Sequence, residues 1–125
     1  MYSNFRKAQS IAVKNNRNCA ISFDGDNGYM VYVDQIKNYK HDSGEQIIAQ
    51  ASWADYRNVQ LDNSVPPAIN FDATSGKRTI AFQPNLIPVQ NTPGFASGRV
   101  KLTNSNSRKA EVVINESGNI SLRWN

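Results

Sequence analysis

Tyr2-Ser3-Asn4-Phe5-Arg6-Lys7-Ala8-Gln9-Ser10-Ile11-Ala12-Val13-Lys14-Asn15-Asn16-Arg17-Asn18 is the stretch on which the fold turns. At 100° per residue, Tyr2, Phe5, Ala8 and Ala12 fall on one stripe, with Ile11 and Val13 at its edges. Arg6, Lys7, Ser10, Lys14 and Arg17 fall opposite. That spacing predicts an amphipathic helix. No Ser, Thr, Asp or Asn stands ahead of it to cap its first turn. The expectation is therefore a helix that is cut rather than begun at this point. Asn15, Asn16 and Asn18 supply chemistry for its C-terminal cap.

Everything beyond Asn18 reads as strands and turns. Cys19–Asp24 alternates, with Cys19, Ile21 and Phe23 on one face and Ala20, Ser22 and Asp24 on the other. Asp24-Gly25-Asp26-Asn27-Gly28 then turns the chain into a second strand, Tyr29–Asp34, to give a hairpin. Gln35–Glu45 is a polar loop. Gln46–Ala54 fits neither period, and Asn58–Leu61 is a short strand. Pro66-Pro67 precedes a strand at Ala68–Phe71, which a turn over Asp72–Lys77 joins to Arg78–Gln83 as a second hairpin. Pro84 to Gly98 carries three prolines and reads as a surface excursion. Arg99–Thr103, Glu111–Asn115 and Asn119–Trp124 form a meander. Val100, Leu102, Val112, Ile114, Ile120 and Leu122 line one of its faces. The fold class is α+β: one domain over 1–125, with a helix at 1–18 packed on antiparallel sheets over 19–125.

Composition narrows the function. At 125 residues the chain can bury a core without staples. Its one cysteine, Cys19, forms no internal disulfide and sits on the apolar face of its strand as a small core residue. No run of 18 or more apolar residues is present. The net charge of +4 is uneven. Residues 1–62 carry seven basic and seven acidic side chains, whereas residues 63–125 carry seven basic against three acidic, so the excess lies wholly in the second half. Such asymmetry attracts polyanions.

Sites for chemistry are scarce. His41 is the sole histidine and lies in a polar loop, where it reads as solvated. No Cys/His spacing suits zinc, and no glycine-rich phosphate loop precedes a helix. Counted as a calcium loop from Asp24, the sixth and twelfth positions hold Tyr29 and Gln35 in place of glycine and glutamate. Asn115-Glu116-Ser117 fits the glycosylation pattern within a tight turn. The expectation is no catalytic residue, no metal and no cofactor. A carbohydrate- or ligand-binding function would call for a pocket lined by Trp53 and Tyr56.

Three segments resemble the GspH/FimT family of type IV pilin-like pseudopilins. They are Phe5-Arg6-Lys7-Ala8-Gln9-Ser10-Ile11-Ala12-Val13-Lys14-Asn15-Asn16, Ile69-Asn70-Phe71-Asp72-Ala73-Thr74-Ser75-Gly76, and Val112-Val113-Ile114-Asn115-Glu116-Ser117-Gly118-Asn119-Ile120-Ser121-Leu122-Arg123. They are similar to the family's helix end, its mid-chain strand and glycine turn, and its closing hairpin. The resemblance implies a pilin-like β-sandwich. It also implies a structural role without enzymatic activity or a small-molecule substrate, as a minor subunit that initiates or tips a type IV pilus or type II secretion pseudopilus. Partners would be other pilins in a filament, and the inner membrane through an upstream apolar half-helix that carries a processing site. The β domain would lie in the periplasm. Phe5, Ala8, Ile11 and Ala12 would then pack the helix on the sheet or in the filament.

Some members of the family take up DNA through basic C-terminal residues in a Gly-Arg-x-Arg pattern. Here the closing hairpin reads Gly118-Asn119-Ile120-Ser121-Leu122-Arg123, with asparagine at the first arginine position. Gly98-Arg99-Val100-Lys101 matches the pattern one strand earlier. Arg99, Lys101, Arg108, Lys109 and Arg123 are thus candidate DNA contacts.

Overall fold

A computed structural model describes residues 1–25, 27–55, 58–64, 67–74, 76–92 and 96–124. Helix α1 spans Tyr2–Asn15 and is followed by strands β1 Cys19–Asp24, β2 Gly28–Val33, β3 Ile47–Ser52, β4 Val59–Leu61, β5 Ala73–Thr74, β6 Lys77–Phe82, β7 Pro88–Val89, β8 Gly98–Asn104, β9 Lys109–Ile114 and β10 Ile120–Trp124. They build two antiparallel sheets. The first runs β3-β2-β1-β6-β5, with β7 also paired to β6; the second runs β10-β9-β8-β4.

The helix ends three residues earlier than its polar tail predicts. Asn16 takes the left-handed conformation (φ 51°), and the N–H groups of Asn16 and Arg17 close on the Val13 and Ala12 carbonyls. Asparagine tolerates this backbone better than other side chains, so the cap is chemically encoded. Phe5, Ala8 and Ala12 are fully buried and Ile11 partly so, while Val13 is 52% exposed. The polar Gln9 takes the place expected of Val13. It lies 40° from Phe5 on the helical wheel, between Phe5 and Tyr2, and is buried at the seam.

One core fills the space between the helix and the two sheets. Phe5 sits at its centre, with ring centroids 6.3 Å from both Phe23 of β1 and Phe71; Phe23 and Phe71 are 6.1 Å apart. Ile21, Val31 and Ile80 from the first sheet and Val100, Val112 and Ile114 from the second close around them. Cys19 belongs to this cluster, and burial pushes its thiol up to about 12, so it remains an inert thiol at neutral pH. The face of β1 expected to be polar is also covered. Ala20, Tyr32 and Ala81 form a second small cluster beneath Tyr39 and Val89.

The second expected hairpin is corrected. Ala68–Phe71 is no strand of the first sheet. Ile69 makes an isolated bridge to Val100, and the Lys101 amide donates to the Ala68 carbonyl, which places this segment beside β8. The partner that hairpins with β6 is the two-residue β5, through Ala73↔Arg78 and Thr74↔Lys77. The long neighbour of β6 is β1, from Cys19↔Phe82 to Phe23↔Arg78. The ambiguous Gln46–Ala54 stretch resolves into β3 and a short 3-10 turn over Trp53–Asp55. The proline-rich excursion contributes β7. The closing meander forms as expected, except that Leu122 lies 39% exposed where the core face runs out.

Candidate functional site

Two polar contacts from the N-terminal half of α1 hold the helix–sheet seam. Asn4 Nδ2 donates to the Tyr29 hydroxyl at 2.6 Å, and Gln9 Nε2 donates to the Gly118 carbonyl in the turn before β10. The Gln9 amide is buried and that of Asn4 partly so, and such contacts fix register, because leaving either partner alone costs more than the bond returns. Ala8 and Ala12, both fully buried, let the helix backbone approach the sheet closely. The opposite face presents Arg6, Lys7, Lys14 and Arg17, all exposed.

The five candidate DNA contacts lie on or beside the outer face of the second sheet. Alternation along the strands places Arg99 and Lys101 of β8, Lys109 and Glu111 of β9, and Arg123 of β10 away from the core residues Val100 and Val112. The register aligns Lys101↔Glu111 and Arg123↔Glu111, so a carboxylate stands between two of the cations; Arg123 Nη1 is 4.0 Å from Glu111 Oε1. Lys109 is committed as well. Its Nζ lies 3.1 Å from Asp62 Oδ2 and donates to Ser64 Oγ at 3.0 Å. Arg99 and Arg108 are exposed, and among the described residues neither makes an ion pair. They stand at opposite ends of the face.

Asp62 and Ser64 follow β4, so the Lys109 contact ties β9 to β4 across β8. The Ser64 hydroxyl and amide, and then the Lys109 ammonium, pull the Asp62 carboxyl down to about 2. A depressed carboxylate contributes stability in full above its unfolded value, and this contribution disappears as pH falls through the folded one. An Asp62→Asn variant is therefore expected to be less stable than the parent at neutral pH. The gap should close between about pH 4 and pH 2, as followed by urea unfolding at stepped pH.

The loop between β2 and β3 is organised by carboxylates rather than left to solvent. Asp34 accepts from the Asn38 and Tyr39 amides, and Glu45 accepts from the Gln35 and Asp42 amides. Asp34, Asp42 and Glu45 bring one oxygen each within 4.8 Å of one another, a grouping the sequence reading missed. Burial raises the Asp34 carboxyl above its ordinary value despite those two amides. His41, expected to be solvated, is held in place. Its Nε2 is 2.9 Å from the Glu45 carbonyl and its ring meets Tyr32 edge-on at 5.4 Å. No nucleophile is aligned with it among these contacts.

Trp53 is half-buried against Tyr29 and lines a cleft of about 1100 Å³ with Asn58, Gln60, Asn104 and Lys109. Its expected companion Tyr56 lies outside the described residues. The Asn115 side chain accepts from the Ser117 and Asn119 amides, so the glycosylation-like triplet is a side-chain-braced turn.

A leading helix sealed by its small-residue face into a two-sheet antiparallel body is the arrangement the quoted segments imply. A family model described as type II transport protein GspH matches residues 1–118. The chain belongs to the GspH/FimT pseudopilin family. Comparison with curated proteins and with solved structures gave no match. Membership makes this GspH-family chain a structural subunit of the pseudopilin or minor-pilin kind, which assembles with other pseudopilins in type II secretion or pilus machinery. No helix among the described residues is long and apolar enough to cross a membrane.

Proposed function

We propose that this GspH-family chain is a minor pseudopilin that initiates assembly of a type II secretion pseudopilus or type IV pilus and stays near its tip. The observation that carries this reading is the family match along residues 1–118 with α1 at its head. One face of α1 is spent on the sheets, while the other offers Arg6, Lys7, Lys14 and Arg17 to neighbouring subunits. A subunit that starts a filament acts through packing surfaces, in keeping with a chain whose polar residues brace turns. In the family's pattern an apolar segment precedes such a helix and anchors the subunit in the inner membrane, with the β domain in the periplasm. The test is deletion of the gene followed by filament counting with end-specific labelling. The expected result is few or no filaments without the subunit, and label at one filament end when it is restored. Normal numbers of filaments in the deletion strain would refute initiation.

A second reading, contact with DNA, is favoured by one observation: Arg99 and Arg108 are exposed and outside any ion pair among the described residues. Phosphate contacts release counterions, so binding should weaken steeply between about 50 and 200 mM salt. Arg99→Glu together with Arg108→Glu should lower affinity for duplex DNA on the order of tenfold at low salt, read by fluorescence anisotropy. Lys109 is left unchanged in this test because its reversal would break the Asp62 tie. Equal binding by parent and variant would dismiss the reading.

A further inference from the structure

Residues 1–18 carry four basic side chains and no acidic one. All four, Arg6, Lys7, Lys14 and Arg17, are exposed, and among the described residues none makes an ion pair. The second sheet treats its cations differently, since Asp62 meets Lys109 and Glu111 meets Arg123. On the helical wheel Lys7 and Lys14 stand about 20° apart, and the small Ser3 and Ser10 lie between them and Arg6. From Arg6 to Lys14 is about 12 Å along the axis. Nothing bulky on this face screens the charge.

The face runs into a notch where α1 ends. Asn15, Arg17, Gln35, Gly44 and Gln46 line it together with the buried Val33, and its volume is about 380 Å³. The side chains of Asn15, Arg17, Gln35 and Gln46 are exposed and make no hydrogen bond among the described residues. The described lining is thus rich in N–H donors and holds no acidic side chain. Asp34 and Glu45, next in sequence to Gln35 and Gln46, are buried and accept loop amides instead. The Asn16 and Arg17 amides close on the Val13 and Ala12 carbonyls, which tempers the negative end of the helix. A carboxylate suits this lining. It is planar, accepts two parallel bonds from a guanidinium, and has lone pairs left for amide donors. A notch of this size admits one side chain, whereas a DNA duplex or a lipid surface is too broad to enter it.

We propose that the outer face of α1 receives an acidic segment of a neighbouring subunit. Arg17 holds one of its carboxylates in the notch, and the others face Arg6, Lys7 and Lys14. This deepens the reading of that face as a subunit contact and rests on it. The experiment follows the amide resonances of the chain as a capped octapeptide of alternating glutamate and serine is added. A control peptide carries glutamine for glutamate. Saturable shifts at Asn15, Arg17, Gln35, Gly44 and Gln46 are expected with the acidic peptide and not with the control. Arg17→Gln should weaken binding about fivefold, and Lys7→Gln with Lys14→Gln about threefold. Melting temperatures should not change, because these side chains are exposed. Added salt should weaken binding by the parent more steeply than by the double variant. The proposal is overturned by no saturable shift, by equal binding of the glutamine peptide, or by parental affinity in Arg17→Gln. A response of α1 to duplex DNA or to phosphatidylglycerol vesicles, with none to the acidic peptide, overturns it as well. Filament counts are read separately. Filaments lost in the deletion strain without peptide binding would refute the site alone, and peptide binding with normal filament numbers would refute initiation alone.

Discussion

Phe5→Ala is expected to destabilise the protein by about 3–5 kcal/mol. The side chain is wholly buried at the meeting point of the helix and both sheets, with Phe23 and Phe71 each 6.3 Å away, centroid to centroid. Truncation removes its transfer energy and leaves a cavity that the neighbouring rings, Phe23 on β1 and the buried Phe71, cannot collapse to fill. Domains of this size retain only about 5–15 kcal/mol in total, so the loss is a large share. The urea midpoint should fall sharply with the slope little changed. Val13→Ala, on the exposed side of the same helix, should stay within about 0.5 kcal/mol of the parent. If the two variants unfold alike, the helix is not docked as described.

Gly118→Ala is expected to cost about 2–4 kcal/mol, more than a methyl group suggests. Gly118 has φ +88°, a backbone conformation side chains resist, and a Cβ built there would sit 2.2 Å from the Leu86 carbonyl oxygen. Its own carbonyl receives the Gln9 amide, so any shift that relieves the clash also loosens the helix seam. Gly76→Ala separates the two effects. Gly76 has φ +80° with nothing within 4 Å of its built Cβ, so only the conformational cost of about 1–2 kcal/mol should appear. Thermal or urea unfolding of the pair checks this. Equal losses would show that the Leu86 contact carries no weight.

The parts of this fold legible in the sequence are those decided locally. The β1–β2 hairpin and the closing meander announce themselves through alternation and through turns such as Glu116-Ser117-Gly118, because strand period and turn chemistry act over a few residues. The helix announces itself by its stripe and its Asn cap. Ala68–Phe71 lies beside β8 and not β6, and nothing local distinguishes a partner in one sheet from a partner in the other. Its apolar residues are buried either way, and the bridge to Val100 is set by the packing of the whole. Gln9 lies within the buried arc of the wheel, yet its polarity concealed it until the Gly118 carbonyl came into view. The basic half was visible as charge, but the count could not see that Asp62 and Glu111 would be delivered to Lys109 and Arg123 from other strands. A groove over Ser22, on the face of the first sheet turned away from α1, is invisible for the same reason, since its lining comes from five strands and a loop.

The Gln9–Gly118 contact joins residues 109 positions apart in the chain. Helix α1 is made before every strand of the β body, yet the turn that receives Gln9 comes only after nine of the ten strands. Until β8 and β9 are made, the apolar stripe of Phe5, Ala8 and Ala12 lacks the Val100, Val112 and Ile114 side of its core. Contacts of such long range slow folding, and an early amphipathic segment that waits uncovered is open to other partners. The order of synthesis thus leaves the helix uncovered while most of the β body is still being made, and its complete docking waits for the closing hairpin.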